Sequence, residues 1–329
     1  MVHDRSDDNQ VGSPDAATVG DFSAQVALSL EATEQDIKDL AHSRQSFESD
    51  ASLVRAREIV NAFRPVPQII WRLCNYTLGR PGHINTLTTG HAFGLKKLFM
   101  HVGADPIMGL GRSNLNTSDV VYGVASDVIA AVAMMYAVSR RLQSMPFQKL
   151  WAPMLDEALL RANLGFCAGQ MSERFGIGRS MLAGFAGRIG MVVLIATGDQ
   201  NQAHEAVSAL VTRADPQEIG RKVYGADPAH VAAMVLSASG CGRDAILGLG
   251  AFGLSKRAQA ALDPFSALWL ASTIIIENVL NSNAFLIEEG VWLTLGFDEP
   301  AEREELSAIA KTLKRSGHSW HWLARPDSE

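Results

Sequence analysis

From about residue 21 to 316, apolar residues recur at three- and four-residue intervals, and strict alternation over a strand's length is scarce. That period places apolar side chains on one face of an α-helix. Val121, Val124, Val128, Val132, Met135 and Leu142 mark one face of a helix predicted over residues 117–142, opened by the capping cluster Thr117-Ser118-Asp119. Trp151, Leu155, Ala158, Ala162 and Phe166 form a second stripe. It predicts a helix over 147–175, with Asp156 and Arg161 off the stripe and Gly176 as the C-cap. Further helices are expected at 34–48, 50–62, 66–78, 87–101, 178–196, 201–211, 215–223, 227–238, 242–251, 264–288 and 300–314. Gly79-Arg80-Pro81-Gly82 and Gly103-Ala104-Asp105-Pro106 are the strongest breaks, and the run from Gly109 to Asn114 is turn-like. The pattern predicts an all-α chain of two packed helical lobes, residues 21–116 and 117–316. Residues 1–20, polar and rich in Asp, Ser and Gly, are expected to form a disordered tail, and 317–329 a C-terminal one.

Composition narrows the picture. With 47% apolar and 19% charged residues, the 329-residue chain can build a substantial core. The net charge of −6 argues against nucleic acid or an anionic membrane as the main partner. Lys96-Lys97 and Arg140-Arg141 are isolated basic pairs that read as solvated helix faces. The run from Val128 to Val138 reads as the most apolar. It falls short of the roughly 20 residues that span a bilayer, so a buried helix is expected. The first residues lack an apolar stretch, so a secretory signal is not expected and a cytoplasmic location is. Cys74, Cys167 and Cys241 are too far apart in sequence for a zinc motif and read as reduced, buried thiols.

Candidate chemistry is thin. Gly248-Leu249-Gly250-Ala251-Phe252-Gly253 matches a dinucleotide-binding spacing, but no strand pattern precedes it, so close helix packing is the better reading. Of the nine histidines only His3 is followed by Asp, and His3-Asp4 lies in the polar N-terminal stretch. His318 and His321 have a chelating spacing, yet Trp320 and Trp322 beside them suggest packing. Glu288-Glu289 and the Glu302/Glu304/Glu305 group read as exposed helix ends. The run Ser237-Ala238-Ser239-Gly240 is a small-residue turn rather than a nucleophile elbow. No cofactor is expected.

The order of several segments carries more than any one motif. These are Val66–Gly79 with its Leu73-Cys74-Asn75 core, His83-Ile84-Asn85 through Gly94-Leu95, Leu150-Trp151 opening a long helix, Gly225–Ala233, and Leu295-Gly296-Phe297 before an acidic helix. Together, over roughly residues 25–315, the chain resembles the HDOD family, the HD-related output domain of bacterial signalling proteins. The resemblance implies a helical bundle related to the HD phosphohydrolase fold. In HD enzymes, histidines and a His-Asp pair hold metal ions that activate water. Carried onto this chain, those positions fall near Pro153, on Gly187-Arg188, at Pro228 with His230 two residues on, and in the histidine-free run 248–252. Proline and glycine have no ligating side chain, and Arg188 brings a fixed positive charge. The resemblance therefore implies a non-catalytic regulatory module that binds another signalling protein or a small ligand, its oligomeric state left open. Arg188 would pair with an acid in the old pocket, capture an anion there, or be an ordinary surface arginine. His230 is the second candidate contact. The alternative is a metal-dependent phosphohydrolase with a displaced ligand set drawn from His204, His230 and Asp227.

Overall fold

The helical period is realised along the whole described chain. The structure, a computed structural model, describes residues 16–41, 47–80, 95–172, 174–212, 214–254 and 256–324. Among them there is no strand. The first helices are α1 (Ala16–Ala41), α2 (Phe47–Phe63), α3 (Gln68–Thr77) and α4 (Lys96–Ala104). The middle of the chain forms α5 (Thr117–Gly123), α6 (Ser126–Gln143), α7 (Gln148–Met171), α8 (Ile177–Thr197) and α9 (Gln200–Val211). Next, α10 (Pro216–Ile219) runs into one π turn, Gly220–Tyr224, followed by α11 (Pro228–Ala238), α12 (Arg243–Gly250) and α13 (Lys256–Ala260). The last are α14 (Pro264–Leu280), α15 (Glu289–Leu295), α16 (Pro300–Ser316) and α17 (His321–Ala324).

Helix α8 is the axis of the fold. It is apolar nearly all round, as a helix enclosed by others must be. It packs along α7 and also meets α6, α11 and α14. Of the described helices it alone is both long and apolar enough to cross a membrane unbroken, and 83% of its most apolar window is buried within the protein. The expected leader in apolarity, 128–138, lies instead in α6, which is also buried. Two glycines let α7 and α8 touch backbone to backbone. A Cβ at Gly165 would stand 2.3 Å from the Ser180 carbonyl oxygen, and one at Gly184 would stand 2.3 Å from that of Arg161.

Both predicted stripes are buried, from Val121 to Leu142 and from Trp151 to Phe166. Several boundaries differ from the expectation. Helix α1 already begins at Ala16, inside the stretch expected as a tail, and it ends at Ala41, before the expected 48. Residues 42–46 and 81–94 lie outside the described residues, and with them most of the helix expected at 87–101. The single helix expected at 117–142 is two, α5 and α6, bent by 116°. Its true cap is Asn116, whose side chain accepts from the Asp119 amide while Asp119 accepts from the Asn116 amide. The bend lets the buried Asp127 accept from the Gly178 amide at 2.7 Å, tying α6 to the start of α8. Gly176 does not cap α7, which ends at Met171 with Ser172 as its C-cap. It precedes α8, with φ of +93°. Helix α14 stops at Leu280 rather than 288.

Residues 317–324, within the stretch expected as a tail, pack. Trp320 and Leu323 are fully buried, and α17 rests on α6 and α7. Across the boundary expected at 116/117, α4 packs on α5, and one buried cluster runs from Leu30 to Ala324. Helices α1 and α2 fold back onto α11. Ser29 and Thr33 bond Ser237 at 2.9 and 2.6 Å, and Asp36 pairs with Arg243 at 2.8 Å.

Candidate functional site

A cavity of about 380 Å³ opens beside α8, between α11, α12 and α14. Gly187, Arg188, Pro228, Leu249, Phe252 and Glu277 are among its walls. Three of the four positions singled out on the sequence, Gly187, Arg188 and Pro228, therefore meet at one place. Pro153 does not: it is exposed on α7 and lines no part of this cavity.

At one side of the cavity, two arginines and two glutamates close a ring of ion pairs. Arg161 donates to Glu277 at 2.6 Å and to Glu157 at 2.8 Å. Arg188 donates to Glu157 at 3.0 Å and to Glu277 at 3.3 Å. Each carboxylate thus serves both guanidiniums, and the ring is formally neutral. Asn281 adds a bond to Glu277 at 2.8 Å, and Arg188 also donates to its neighbour's carbonyl, Gly187 O, at 2.9 Å. Arg161 is only 2% exposed. Gly187 flanks its stem: a Cβ there would lie at ordinary contact distance, 3.6 Å from Arg161 Cδ. Burial pulls Arg161 below the usual arginine range, with Arg188 adding to the effect and Glu277 and Glu157 opposing it. For Glu157, burial works to raise the carboxyl, but Arg188 and Arg161 together hold it below the ordinary value.

Arg188 is therefore an acid-paired arginine, one of the outcomes expected for it. Arg161, placed off the apolar stripe, is not solvated; Glu277, 116 residues away in sequence, draws it inward. Glu157 and Glu277 went unremarked in the sequence. The signal was there in part: Glu277 follows Ile274-Ile275-Ile276, and Arg161 sits among Leu159, Leu160, Ala162 and Leu164. Isolated opposite charges in two apolar helices are candidates to pair.

These residues do not suit a divalent cation. Both carboxylates are already engaged by guanidiniums, whose fixed charge repels a cation. Among the described residues, no three His, Cys, Asp or Glu side chains are grouped to hold one. The alternative set is dispersed as well. Exposed His204 sits against its own helix, with Nδ1 2.8 Å from the Gln200 carbonyl. Asp227 caps α11, accepting from the Ala229 amide at 2.8 Å, and pairs with Arg221. His230 is buried and lies outside the cavity wall, contrary to its expected role as a contact. Its Nδ1 lies 3.3 Å from Ser52 Oγ, which accepts from the Asp227 amide at 2.8 Å. Burial lowers its pKa, with Asp227 opposing, so the ring is suited to structural bonding as a neutral imidazole.

The other motifs resolve into packing. Gly248 lies within α12, where a Cβ would stand 2.4 Å from the Ser266 carbonyl oxygen. Trp320 meets Phe166 edge-on, and Trp322 stacks on His101 with ring centres 5.4 Å apart.

No family model and no curated protein matches the sequence. Solved structures do resemble it. An HDOD domain protein of unknown function from Geobacter sulfurreducens superposes with a TM-score of 0.59 at 12% identity, covering 80% of this chain and 95% of that one. A Marinobacter aquaeolei VT8 protein named for signal transduction gives 0.57 at 17% identity, over 89% of this chain and 66% of that one. This chain thus spans just under two thirds of the Marinobacter protein. A Shewanella amazonensis SB2B protein named for phosphohydrolase activity gives 0.53 at 11%, over 79% and 94%. The likeness extends across most of the chain and shows that it has an HDOD-like, all-helical fold.

Proposed function

We propose that this chain is a non-catalytic signal-transduction module that acts by binding another protein. The ion ring carries the reading. Gly187, Arg188 and Pro228 share a cavity, and its polar chemistry is two guanidiniums locked to two carboxylates. Such a ring has no free base to activate water and no unengaged carboxylate for a metal. It braces α7, α8 and α14 against one another, which keeps the surface rigid. A rigid helical surface suits recognition, since little ordering cost then attends binding. The Marinobacter and Geobacter proteins, named for signalling and for the HDOD domain, support the same reading by fold alone.

The Shewanella protein's name supplies the contrary reading and defines the test. Purified full-length protein is assayed for bound Mn, Fe and Zn, and for hydrolysis of bis-p-nitrophenyl phosphate and cyclic dinucleotides with each metal added. The expected result is substoichiometric metal and no turnover above the Glu277→Gln control. Stoichiometric metal with turnover that Glu277→Gln abolishes would replace the binding module with an enzyme.

A further inference from the structure

A second cavity, a groove of about 790 Å³, is bounded by the link between α2 and α3 and by α4 and α6. Its rim carries Arg64, Lys97, Arg140 and Arg141, and among the described residues no carboxylate lines it. In a chain of net charge −6 this is a marked local reversal. Arg141 is committed to the fold: it donates to the Phe63 carbonyl at 2.7 Å and lies over the Phe63 ring. Arg64, Lys97 and Arg140 are exposed, and no described carboxylate pairs with them. Arg64 has φ of +49°, a left-handed backbone that glycine would adopt at less cost. An arginine there places a cation at the groove mouth despite that cost. The floor is apolar, formed by Val66, Ile70, Leu98 and Tyr136, with Ile69 left 41% exposed.

We infer that this groove receives an acidic amphipathic helix from a partner protein. The inference rests on the binding reading above and adds the site and the partner's chemistry. The cations come from three separate elements, the α2–α3 link, α4 and α6, and so suit several carboxylates along a segment. A lone inorganic anion would engage the rim yet leave Ile69 in water. A helix with apolar residues at i, i+4 and i+7, flanked by Asp and Glu, covers the floor and meets the rim at once.

A displayed library of random 16-residue peptides, panned on the full-length protein, tests this. The enriched sequences are expected to be net acidic, with large apolar residues at helical spacing. Their affinity should fall at least tenfold for Arg64→Gly/Lys97→Glu/Arg140→Glu and for Ile69→Asp, and should weaken as salt rises. Arg64→Gly relieves the backbone and the other charge changes are at exposed sites, so circular dichroism melts of these variants should match the parent. Enriched peptides of neutral or basic character would overturn the assignment, as would binding indifferent to both variants. Pyrophosphate binding lost in the triple variant, with no peptide enriched, would give the groove to a small anion instead. None of these failures touches the non-catalytic reading, which stands or falls on metal and turnover.

Discussion

Removing one member of the ion ring leaves its partner charged in a place with little water. Arg161 is the sensitive one, since its side chain is almost wholly enclosed and its Nε has no partner of its own. Breaking a buried pair from one side costs about 3–5 kcal/mol, whereas replacing both partners with apolar groups is far milder. Glu277→Ala should therefore lower the urea unfolding free energy by about 3 kcal/mol, because Glu157 still holds Arg161. The double variant Arg161→Met/Glu277→Leu should lose less than the two single changes summed. Equal or greater loss would mean that the ring adds no coupling. Glu157 gives the ring a pH signature. Its carboxyl titrates lower in the folded protein than in the unfolded chain, because Arg188 and Arg161 outweigh burial. Its stabilising contribution is thus complete above the ordinary glutamate range and is lost as pH falls through the lowered value. Denaturation midpoints measured from neutral pH downward should fall in acid, and Glu157→Gln should flatten part of that slope.

Among the elements, the α7–α8 contact is the tightest. Gly165→Ala or Gly184→Ala would press a methyl group into a backbone carbonyl, which cannot rotate away. Each should cost about 1–3 kcal/mol in unfolding free energy. Gly290→Ala in α15 is the control, with nothing within 4 Å of the new carbon; it should be neutral or raise stability by up to about 1 kcal/mol. Loss of the same size in all three would mean that the α7–α8 contact is not its cause. The elements themselves were largely legible in the sequence. The stripes through α6 and α7 located both helices and their buried faces, because packing on a core imposes the period. The bend between α5 and α6 was not legible. It serves a bond from Gly178 to Asp127, 51 residues apart, and no local period encodes such a tie. The ring was illegible for the same reason. Gly187 and Arg188 were identified through resemblance, but Glu277 reaches them only through tertiary packing. Lys97, Arg140 and Arg141 read as solvated pairs, and only the fold brings them around one groove.

At the scale of the molecule, both ends of the described chain are sewn into its middle. The C-terminal turn is one seam: Trp320 is fully enclosed beside Phe166. Trp320→Ala should cost about 3–5 kcal/mol, read as a lower urea midpoint. A shift under about 1 kcal/mol would show that the turn merely rests on the surface. The other seam joins α1 to α11 through Ser29, Thr33 and Ser237, across 204 to 208 residues. That distance sets a clock during synthesis. At about 5–20 residues per second, α1 leaves the ribosome roughly 10–40 s before the helix it must meet. Through that interval α1 lacks both α11 and α12, although in the finished protein its Leu30 and Ile37 are sealed from water. The nascent chain therefore carries an amphipathic helix with part of its apolar face unmet until α11 and α12 emerge.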